Sequence, residues 1–123
     1  MRLLLDTHVV LWWLTDDRHL SATHRFLIAD PRNTVLVSSV SSAEVAIKAS
    51  QGRLDVPGPL SMMTDGQGFD ELPFTSAHAD ELHTLPWHHP DPFDRMLICQ
   101  ARVEGAVFLT ADAACRQYDV KVR

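Results

Sequence analysis

The sequence contains few features that would indicate export, disulfide bonding or a membrane location. It has two cysteines in 123 residues, Cys99 and Cys115, and they form neither a CxxC motif nor a zinc-knuckle spacing. No segment approaches the roughly 18 consecutive apolar residues that a membrane-spanning helix needs. Asp6 interrupts the N-terminal leucines too early for the apolar region of a signal peptide. We therefore expect reduced thiols and a cytoplasmic protein without membrane contact.

Positive charge is also scarce. Eleven Lys and Arg residues stand against 16 Asp and Glu residues, which gives a formal net charge of -5. Proteins that bind nucleic acid are usually basic, so the balance taken alone argues against that function. The objection weakens if several acids surround divalent cations, because bound cations invert the sign of the local field.

Length and pattern predict one α/β domain over residues 1–123, since 46% of the residues are hydrophobic and no repeat is present. Short β-branched or apolar segments alternate with segments of helical periodicity. Pro73 would confine the strand around it to a sheet edge. We predict strands at 2–5, 34–38, 69–74, 106–110 and 120–122. We predict helices at 7–14, 21–30, 41–52, 76–85, 91–104 and 113–118, with a short helix within 57–68.

Four acids fall at strand ends or helix starts in this scheme. Asp6 follows the first strand, and Asp112 follows the strand that ends at Thr110. Glu44 and Asp94 are expected in the first turns of their helices. Strands joined by helical crossovers form a parallel sheet whose carboxyl ends share one edge. Ligands bind at that edge in open α/β sheets, so we expect the four acids to converge there.

Each acid except Asp6 also has a simple structural explanation. Glu44 stands three residues after Ser41, which fits a capping box. Asp94 stands three residues after Asp91, which is a good N-cap. Asp112 can favour the positive end of its own helix. An acid directly after a buried strand, as Asp6 is, is costly without a partner. The convergence of all four therefore favours a site over four independent caps.

Acids gathered in one crevice cannot all stay ionised without a neutralising group. Two like charges about 4 Å apart repel by roughly 4 kcal/mol at an effective dielectric near 20. Protonation or a divalent cation would relieve this repulsion. Hard oxygen ligands suit Mg²⁺ or Mn²⁺ better than zinc, and such an ion can activate water and stabilise phosphate charge.

The four acids lie in four segments that together resemble the signature blocks of PIN-domain proteins, most closely the VapC toxins of toxin–antitoxin pairs. The segment with Asp-Pro-Phe-Asp-Arg is the most specific, and all four occur in the expected order across almost the whole chain. The segments are Leu4-Leu5-Asp6-Thr7-His8, Ser41-Ser42-Ala43-Glu44-Val45-Ala46-Ile47-Lys48, His89-Pro90-Asp91-Pro92-Phe93-Asp94-Arg95-Met96-Leu97-Ile98 and Leu109-Thr110-Ala111-Asp112.

The resemblance implies a three-layer α/β/α sandwich with a mainly parallel sheet and endonucleolytic cleavage of RNA with Mg²⁺ or Mn²⁺. It also implies a small DNA-binding, VapB-like antitoxin as partner, and we expect a homodimer. The residues that it marks as metal-binding and catalytic are Asp6, Glu44, Asp94 and Asp112. Thr7 and Thr110 would orient water or ligands. Asp91 could be a fifth acid, but its position favours the N-cap.

Three basic residues are candidates for RNA contact. Lys48 follows Glu44 by four residues, so it either pairs with that acid or binds phosphate. Arg95 neighbours Asp94 and balances acidic charge or contacts RNA. Arg53 is either a solvated surface residue or an RNA contact.

The histidine and tryptophan clusters predict less. His78, His83, His88 and His89 lack a companion cysteine or a HExxH spacing, which makes a zinc site improbable. We expect His88 and His89 in a loop near the acids. Trp12 and Trp13 are consecutive and cannot both face one core, so one of them is a candidate for a protein interface.

Three other functions remain open from the sequence. A haloacid dehalogenase-type phosphatase would need a second Asp at the position of His8. A receiver-like signalling module would need an Asp where the second strand ends in Ser38. A catalytically silent PIN-like domain that only binds a partner is the third, and metal-dependent RNA cleavage separates all three from a nuclease.

Overall fold

The computed structural model describes all residues from 1 to 123. Strands and helices alternate along most of the chain, as the apolar pattern predicts. The strands are β1 (Arg2–Leu5), β2 (Thr34–Ser38), β3 (Asp70–Leu72) and β4 (Val107–Leu109). The helices are α1 (Thr7–Leu14), α2 (Ala22–Ala29), α3 (Ser39–Ser50), α4 (Leu60–Met63), α5 (Ser76–Glu81) and α6 (Pro92–Glu104), followed by a 3₁₀ helix at Ala113–Gln117.

The four strands form one parallel sheet in the order β3-β2-β1-β4. Leu4 pairs with Leu36 on one side and with Phe108 on the other. The third strand lies at an edge, as Pro73 predicts. The predicted last strand is reduced to a bridge between Phe108 and Val122, which covers the other edge next to β4. The predicted mainly parallel sheet is thus confirmed.

Side chains of each strand alternate between two hydrophobic cores, one on each face of the sheet. Leu4 and Phe108 belong to the core beneath α6, which includes Leu97. Leu3 and Leu5 belong to the core beneath α1, α2 and α4. All four of these leucine and phenylalanine side chains of β1 and β4 are fully buried. The result is the predicted three-layer α/β/α sandwich, in which the sheet is rigidly held from both faces.

Helix ends differ from the prediction in two places. The third helix begins at Ser39, because the hydroxyl of Ser38 accepts a hydrogen bond from the backbone N–H of Val40 at 2.9 Å. The helix predicted at 76–85 ends at Glu81, and Leu85 packs into the core from the loop that follows. The Asp91 cap of α6 is confirmed, since its carboxylate accepts from the N–H groups of Phe93 and Asp94. None of the helices combines the length and apolarity that a bilayer crossing would require.

Candidate metal centre

Two of the predicted acids, Asp6 and Asp112, follow the neighbouring strands β1 and β4. The backbone N–H of Asp6, just after β1, donates to the carbonyl of Leu109, the last residue of β4, at 2.9 Å. The chain continues from β1 toward β2 on one side, whereas β4 lies on the other side. A sheet opens a crevice where neighbouring connections diverge in this way. The crevice between β1 and β4 is therefore the site that topology favours.

Asp6 is held by one hydrogen bond and is otherwise free. Its side chain does not cap α1, and the residue is 4% exposed. Oδ2 accepts a hydrogen bond from the hydroxyl of Thr110 at 2.7 Å, whereas Oδ1 is buried without a partner. Burial raises the pKa of Asp6 above its ordinary value, although the Thr110 hydrogen bond acts in the opposite direction. Thr110 thus orients this acid, as expected for a polar neighbour.

Glu44 lies in the second turn of α3, not in the first as expected. The capping-box explanation is wrong, because Ser38 is the N-cap and Ser41 instead accepts a hydrogen bond from the hydroxyl of Thr7. Glu44 is 3% exposed, and its Oε2 accepts from Lys48 Nζ at 2.5 Å. Its Oε1 is buried without a partner. Lys48 therefore tethers Glu44 by an i,i+4 ion pair, one of the two alternatives for this lysine.

Among the four acids, Asp94 has the pKa that its surroundings shift most clearly. It lies in the first turn of α6, as predicted. Burial, together with the charges of Asp6, Asp91 and Glu44, raises the pKa of Asp94 to about 7, while His89 acts in the opposite direction. Carboxylates repel in this way only when they lie close together. The structure thus brings Asp6, Glu44 and Asp94 into one electrostatically coupled group.

His89 joins the fourth acid to the others. Its Nδ1 accepts a hydrogen bond from the backbone N–H of Asp91 at 3.1 Å, so the ring proton lies on Nε2. Nε2 lies 2.6 Å from Asp112 Oδ2 and 3.1 Å from Asp94 Oδ2. The sequence predicts a loop near the acids here but not this bridge. Its only sequence signal is the position of His89 two residues before the cap of the helix that carries Asp94.

Asp112 caps the 3₁₀ helix and faces the same crevice. Its Oδ1 accepts from the N–H of Ala114 at 2.9 Å. Desolvation raises the pKa of Asp112, but the hydrogen bonds from Ala114 and His89 outweigh it, and the pKa lies below its ordinary value. One potential ligand atom each of His89, Asp112 and Cys115 lies within 4.8 Å of the others. His89 was expected in a loop near the acids, whereas a cysteine beside them was not expected from the sequence.

The donor set fits a hard divalent cation. Two carboxylate oxygens, Asp6 Oδ1 and Glu44 Oε1, are buried and lack any hydrogen-bond partner. A buried charged oxygen without a partner is costly, and a cation would remove the cost. Burial raises the pKa of Cys115 to about 12, so the nearby thiol stays protonated and is a poor ligand. Carboxylates without a thiolate favour Mg²⁺ or Mn²⁺.

Two predicted RNA contacts receive different placements. Arg95 is 3% exposed, and its guanidinium donates to the carbonyls of Leu85 and Pro86 and to the Tyr118 hydroxyl. An RNA contact for Arg95 stays a prediction, and these three hydrogen bonds, which turn the guanidinium into the fold, count against it. Arg53 lies three residues beyond the end of α3 and is exposed, and an RNA contact for it stays a prediction.

The other predicted neighbours of the site are also placed. Thr7 is buried and donates to Ser41 Oγ at 2.8 Å, which joins the start of α1 to α3. His78 is buried far from the acids along the chain, with its Nε2 3.0 Å from Glu104. His83 is exposed, and the backbone N–H of His88 donates to Tyr118. The four histidines thus form no common cluster.

Fold and site together define a three-layer α/β domain with an acidic cluster at the carboxyl edge of a parallel sheet. The model of the PIN domain family matches residues 3–121, and the chain belongs to that family. This confirms the resemblance seen in the four sequence segments. PIN domains are generally nucleases and usually use divalent metal ions, so the chain belongs to a family of hydrolases that act on nucleic acid.

Several solved structures share this fold at low sequence identity. VapBC2 from Rickettsia felis, bound to a DNA fragment from its promoter, matches with a TM-score of 0.72 and 14% identity, over 100% of this chain and 98% of that chain. VapBC-1 from nontypeable Haemophilus influenzae matches with a TM-score of 0.67 and 17% identity, over 100% and 97%. FitAcB from Neisseria gonorrhoeae matches with a TM-score of 0.63 and 18% identity, over 98% and 95%. None of the curated proteins matches the chain.

Proposed function

We propose that this protein is a Mg²⁺- or Mn²⁺-dependent endoribonuclease and the toxin component of a VapBC-like toxin–antitoxin pair. One observation carries the proposal: Asp6 Oδ1 and Glu44 Oε1 are buried, charged and without a hydrogen-bond partner. Natural proteins rarely leave such atoms unsatisfied, and a functional ligand is a common reason when they do. A divalent cation beside these oxygens accounts for both.

We assign the metal to the four acids, each of which is held by a neighbouring side chain. Thr110 and Lys48 each bind one oxygen of their acid, which leaves the other buried oxygen of Asp6 and of Glu44 available to a cation. Asp94 and Asp112 complete the set, and His89 holds them together. When bound, the cation would supply an activated water and stabilise negative charge on a phosphate.

The chain's own residues would position the substrate phosphate and exclude competing protonation. Thr110 donates to Asp6 and thereby keeps the carboxylate in the rotamer that faces the crevice. His89 donates its Nε2 proton to Asp112 Oδ2, and this hydrogen bond favours the ionised carboxylate that a cation needs. Lys48 offsets part of the negative charge of Glu44 without entering the open side of the crevice. Thr7 supports the arrangement from α1.

The toxin assignment rests on the structural neighbours and on the resemblance of the four sequence segments. Neighbours with TM-scores of 0.72 and 0.67 are VapBC assemblies, one of them bound to promoter DNA. We therefore propose a small DNA-binding antitoxin as partner, RNA as substrate and a homodimer as the toxin's own assembly. Exposed apolar side chains available for such contacts include Phe26, Ile47 and Met62.

Two experiments test the proposal. Purified protein is incubated with single-stranded RNA in Mg²⁺, in Mn²⁺ and in EDTA, beside the Asp6→Asn variant. We expect endonucleolytic cleavage with either ion, none in EDTA and none with the variant. Undiminished cleavage in EDTA would contradict the metal mechanism. RNA binding without cleavage under any condition would indicate a silent PIN-like module instead.

The partner is tested by co-expression with a small protein encoded beside this one, followed by size-exclusion chromatography with light scattering. We expect a stable complex in which RNA cleavage is suppressed. A protein that stays monomeric at high concentration and retains no partner would contradict both the homodimer and the antitoxin.

A further inference from the structure

Three aromatic rings form a stack on the surface next to the acids. The His8 and Trp12 rings, one helical turn apart on α1, have centroids 5.9 Å apart. The Trp12 ring stacks on that of His19, with centroids 5.6 Å apart and an interplanar angle of 27°. The two histidines are exposed and the tryptophan is partly exposed. Trp13 packs on Phe69 instead, so of these two adjacent tryptophans Trp12 is the one whose ring lies in the stack.

A cleft of about 520 Å³ begins at the far end of this stack. His19 lines it together with polar and basic residues, and no Asp or Glu is among the ten lining residues. That composition is unusual in a chain with five more acids than bases. Its two arginines, Arg116 and Arg123, are exposed. The cleft is therefore suited to an anion.

These two arginines are free to bind one. Most other surface bases are engaged in ion pairs, namely Arg2, Arg25, Arg32, Lys48 and Arg102. Arg116 and Arg123 take part in no ion pair within the protein. Only the backbone of Arg123 is used: its oxygen accepts from Thr110 N–H and contacts His24 Nε2, and its N–H donates to the Phe108 carbonyl. Two unpaired guanidiniums facing one cleft form a phosphate-binding surface.

The stack and the cleft both adjoin the acidic crevice. Thr110 lines the cleft and donates to Asp6, while Ala111 and Ala113 line it on either side of Asp112. His8, at the other end of the stack, lies two residues after Asp6 in the first turn of α1. The stack and the cleft thus share sequence and hydrogen-bond neighbours with Asp6 and Asp112.

We propose that His8, Trp12 and His19, with Arg116 and Arg123, form a track that binds a single strand of RNA beside the metal centre. Bases would stack on the three rings and phosphates would contact the two arginines. Stacking platforms alternating with cations are how proteins hold single-stranded nucleic acid without reading its sequence. The inference rests on the proposed function, since it names the substrate form that the acidic crevice would cut.

The surface favours unpaired RNA over two other occupants. A duplex keeps its bases stacked on each other, so the rings would be unused. An amphipathic antitoxin helix would need an apolar groove, but only Ala111, Ala113 and Val122 of the cleft are apolar. A protein partner is therefore an outcome of the test and not the proposal.

Binding is measured apart from cleavage by anisotropy of a fluorescently labelled 12-nucleotide single-stranded RNA, with wild-type protein in EDTA. We expect Trp12→Leu to weaken binding about 5- to 150-fold, the equivalent of one stacked base at roughly 1–3 kcal/mol. Trp12→Phe, which keeps an aromatic ring, retains most of the affinity. We expect a hairpin duplex of equal length to bind wild type more weakly, and its affinity to be unchanged by Trp12→Leu.

The arginines are tested by the salt dependence of the same binding. Arg116→Ala and Arg123→Ala each weaken binding and reduce the slope of log K against log salt by about 0.7, the value for one lost single-strand phosphate contact. Arg32→Ala is the matched control, because Arg32 is exposed and comes before β2, at the amino ends of the strands and away from the acids. It changes the net charge equally and leaves the slope unchanged.

The outcomes separate this inference from the proposed function. Metal-dependent cleavage with unchanged KM in Trp12→Leu and Arg116→Ala overturns the track and leaves the nuclease intact. Binding that depends on Trp12 and Arg116, without cleavage in Mg²⁺ or Mn²⁺, supports the track and refutes the nuclease. If Trp12→Leu loses a co-expressed protein partner but binds RNA normally, the stack is a protein interface and the track is overturned.

Discussion

Nε2 of His89 lies 2.6 Å from Oδ2 of Asp112, which joins the loop before α6 to the 3₁₀ helix after β4. The N–H of Asp91 donates to the other ring nitrogen, Nδ1, so Nε2 is the nitrogen that donates to the carboxylate. A donor of this kind fixes the orientation of a carboxylate and is therefore a positioning group for the proposed metal ligand.

The first prediction concerns that histidine. His89→Ala should lower the affinity for Mn²⁺ by about 10- to 100-fold, because Asp112 and Asp94 lose the group that aligns them. Calorimetric titration with Mn²⁺ measures the change. His83→Ala is the control, since His83 is exposed and outside the cluster. Equal Mn²⁺ affinity in both variants and wild type would remove His89 from the site.

The second prediction concerns Asp6, the buried acid that follows β1. Asp6→Asn should fold, raise the free energy of unfolding in metal-free buffer by about 1 kcal/mol through relief of carboxylate repulsion, and lose cleavage. That gain equals a rise in Tm of roughly 4 °C for a domain of this size. Thermal melts with and without Mg²⁺ check it, and the variant should lack the Mg²⁺-dependent rise of wild type.

Asp55→Asn is the control for this experiment, because Asp55 is exposed and outside the acidic crevice. It should melt and respond to Mg²⁺ like wild type. A folded Asp6→Asn protein with normal cleavage would place the chemistry on other residues.

The third prediction is a pH dependence of metal-free stability. The pKa of Asp94 is raised to about 7 from an ordinary value of 3.8, so the folded state binds a proton that the unfolded state has released. The free energy of unfolding in EDTA should therefore fall as pH rises from about 4 to 7 and level off above. Asp94→Asn should flatten this slope.

Urea denaturation of wild type and Asp94→Asn at pH 5 and pH 8 in EDTA measures the difference. The variant should be the more stable protein at pH 8, where the wild-type carboxylate is ionised among other acids. If the free energy of unfolding changed by the same amount between pH 5 and pH 8 in wild type and in Asp94→Asn, Asp94 would not be the group responsible.

The fourth prediction separates structure from RNA binding at Arg95. The Arg95 guanidinium donates to two backbone carbonyls and lies under the Trp87 ring, with Cζ 3.7 Å from the centroid. Arg95→Met should lower the free energy of unfolding by about 2–4 kcal/mol, since buried carbonyls lose their donors. Its KM for RNA should not change at temperatures where it is folded.

Arg102→Met on the same helix is the matched control. Its ion pair with Glu81 spans 3.9 Å and is partly exposed, so the loss should stay below about 1 kcal/mol. A raised KM in Arg95→Met with unchanged stability would support Arg95 as an RNA contact.

Local chemistry was enough to predict most of the architecture. Alternating apolar residues in β1 and β4 specify strands buried on both faces, and helical periodicity specifies the crossovers. The Asp91 cap followed by Pro92 marks the start of α6 without tertiary information. The start of α3 was misplaced because several consecutive serines can each act as an N-cap. Only the packing of Ser38 against Gln100 selects the first of them.

By itself the sequence determined the parallel α/β order, the family and the four acids at one edge of the sheet, because strand ends and helix starts follow from local pattern. The assignment of those acids as metal ligands stays a prediction. Only the tertiary structure decided what each acid contacts: Thr110 for Asp6, Lys48 for Glu44, and His89 for the remaining two. The same holds for the burial of Arg95 and for the stack of Trp12 on His19. The physical reason is that hydrogen bonds, desolvation and stacking depend on distances between residues far apart in the chain, which periodicity does not encode.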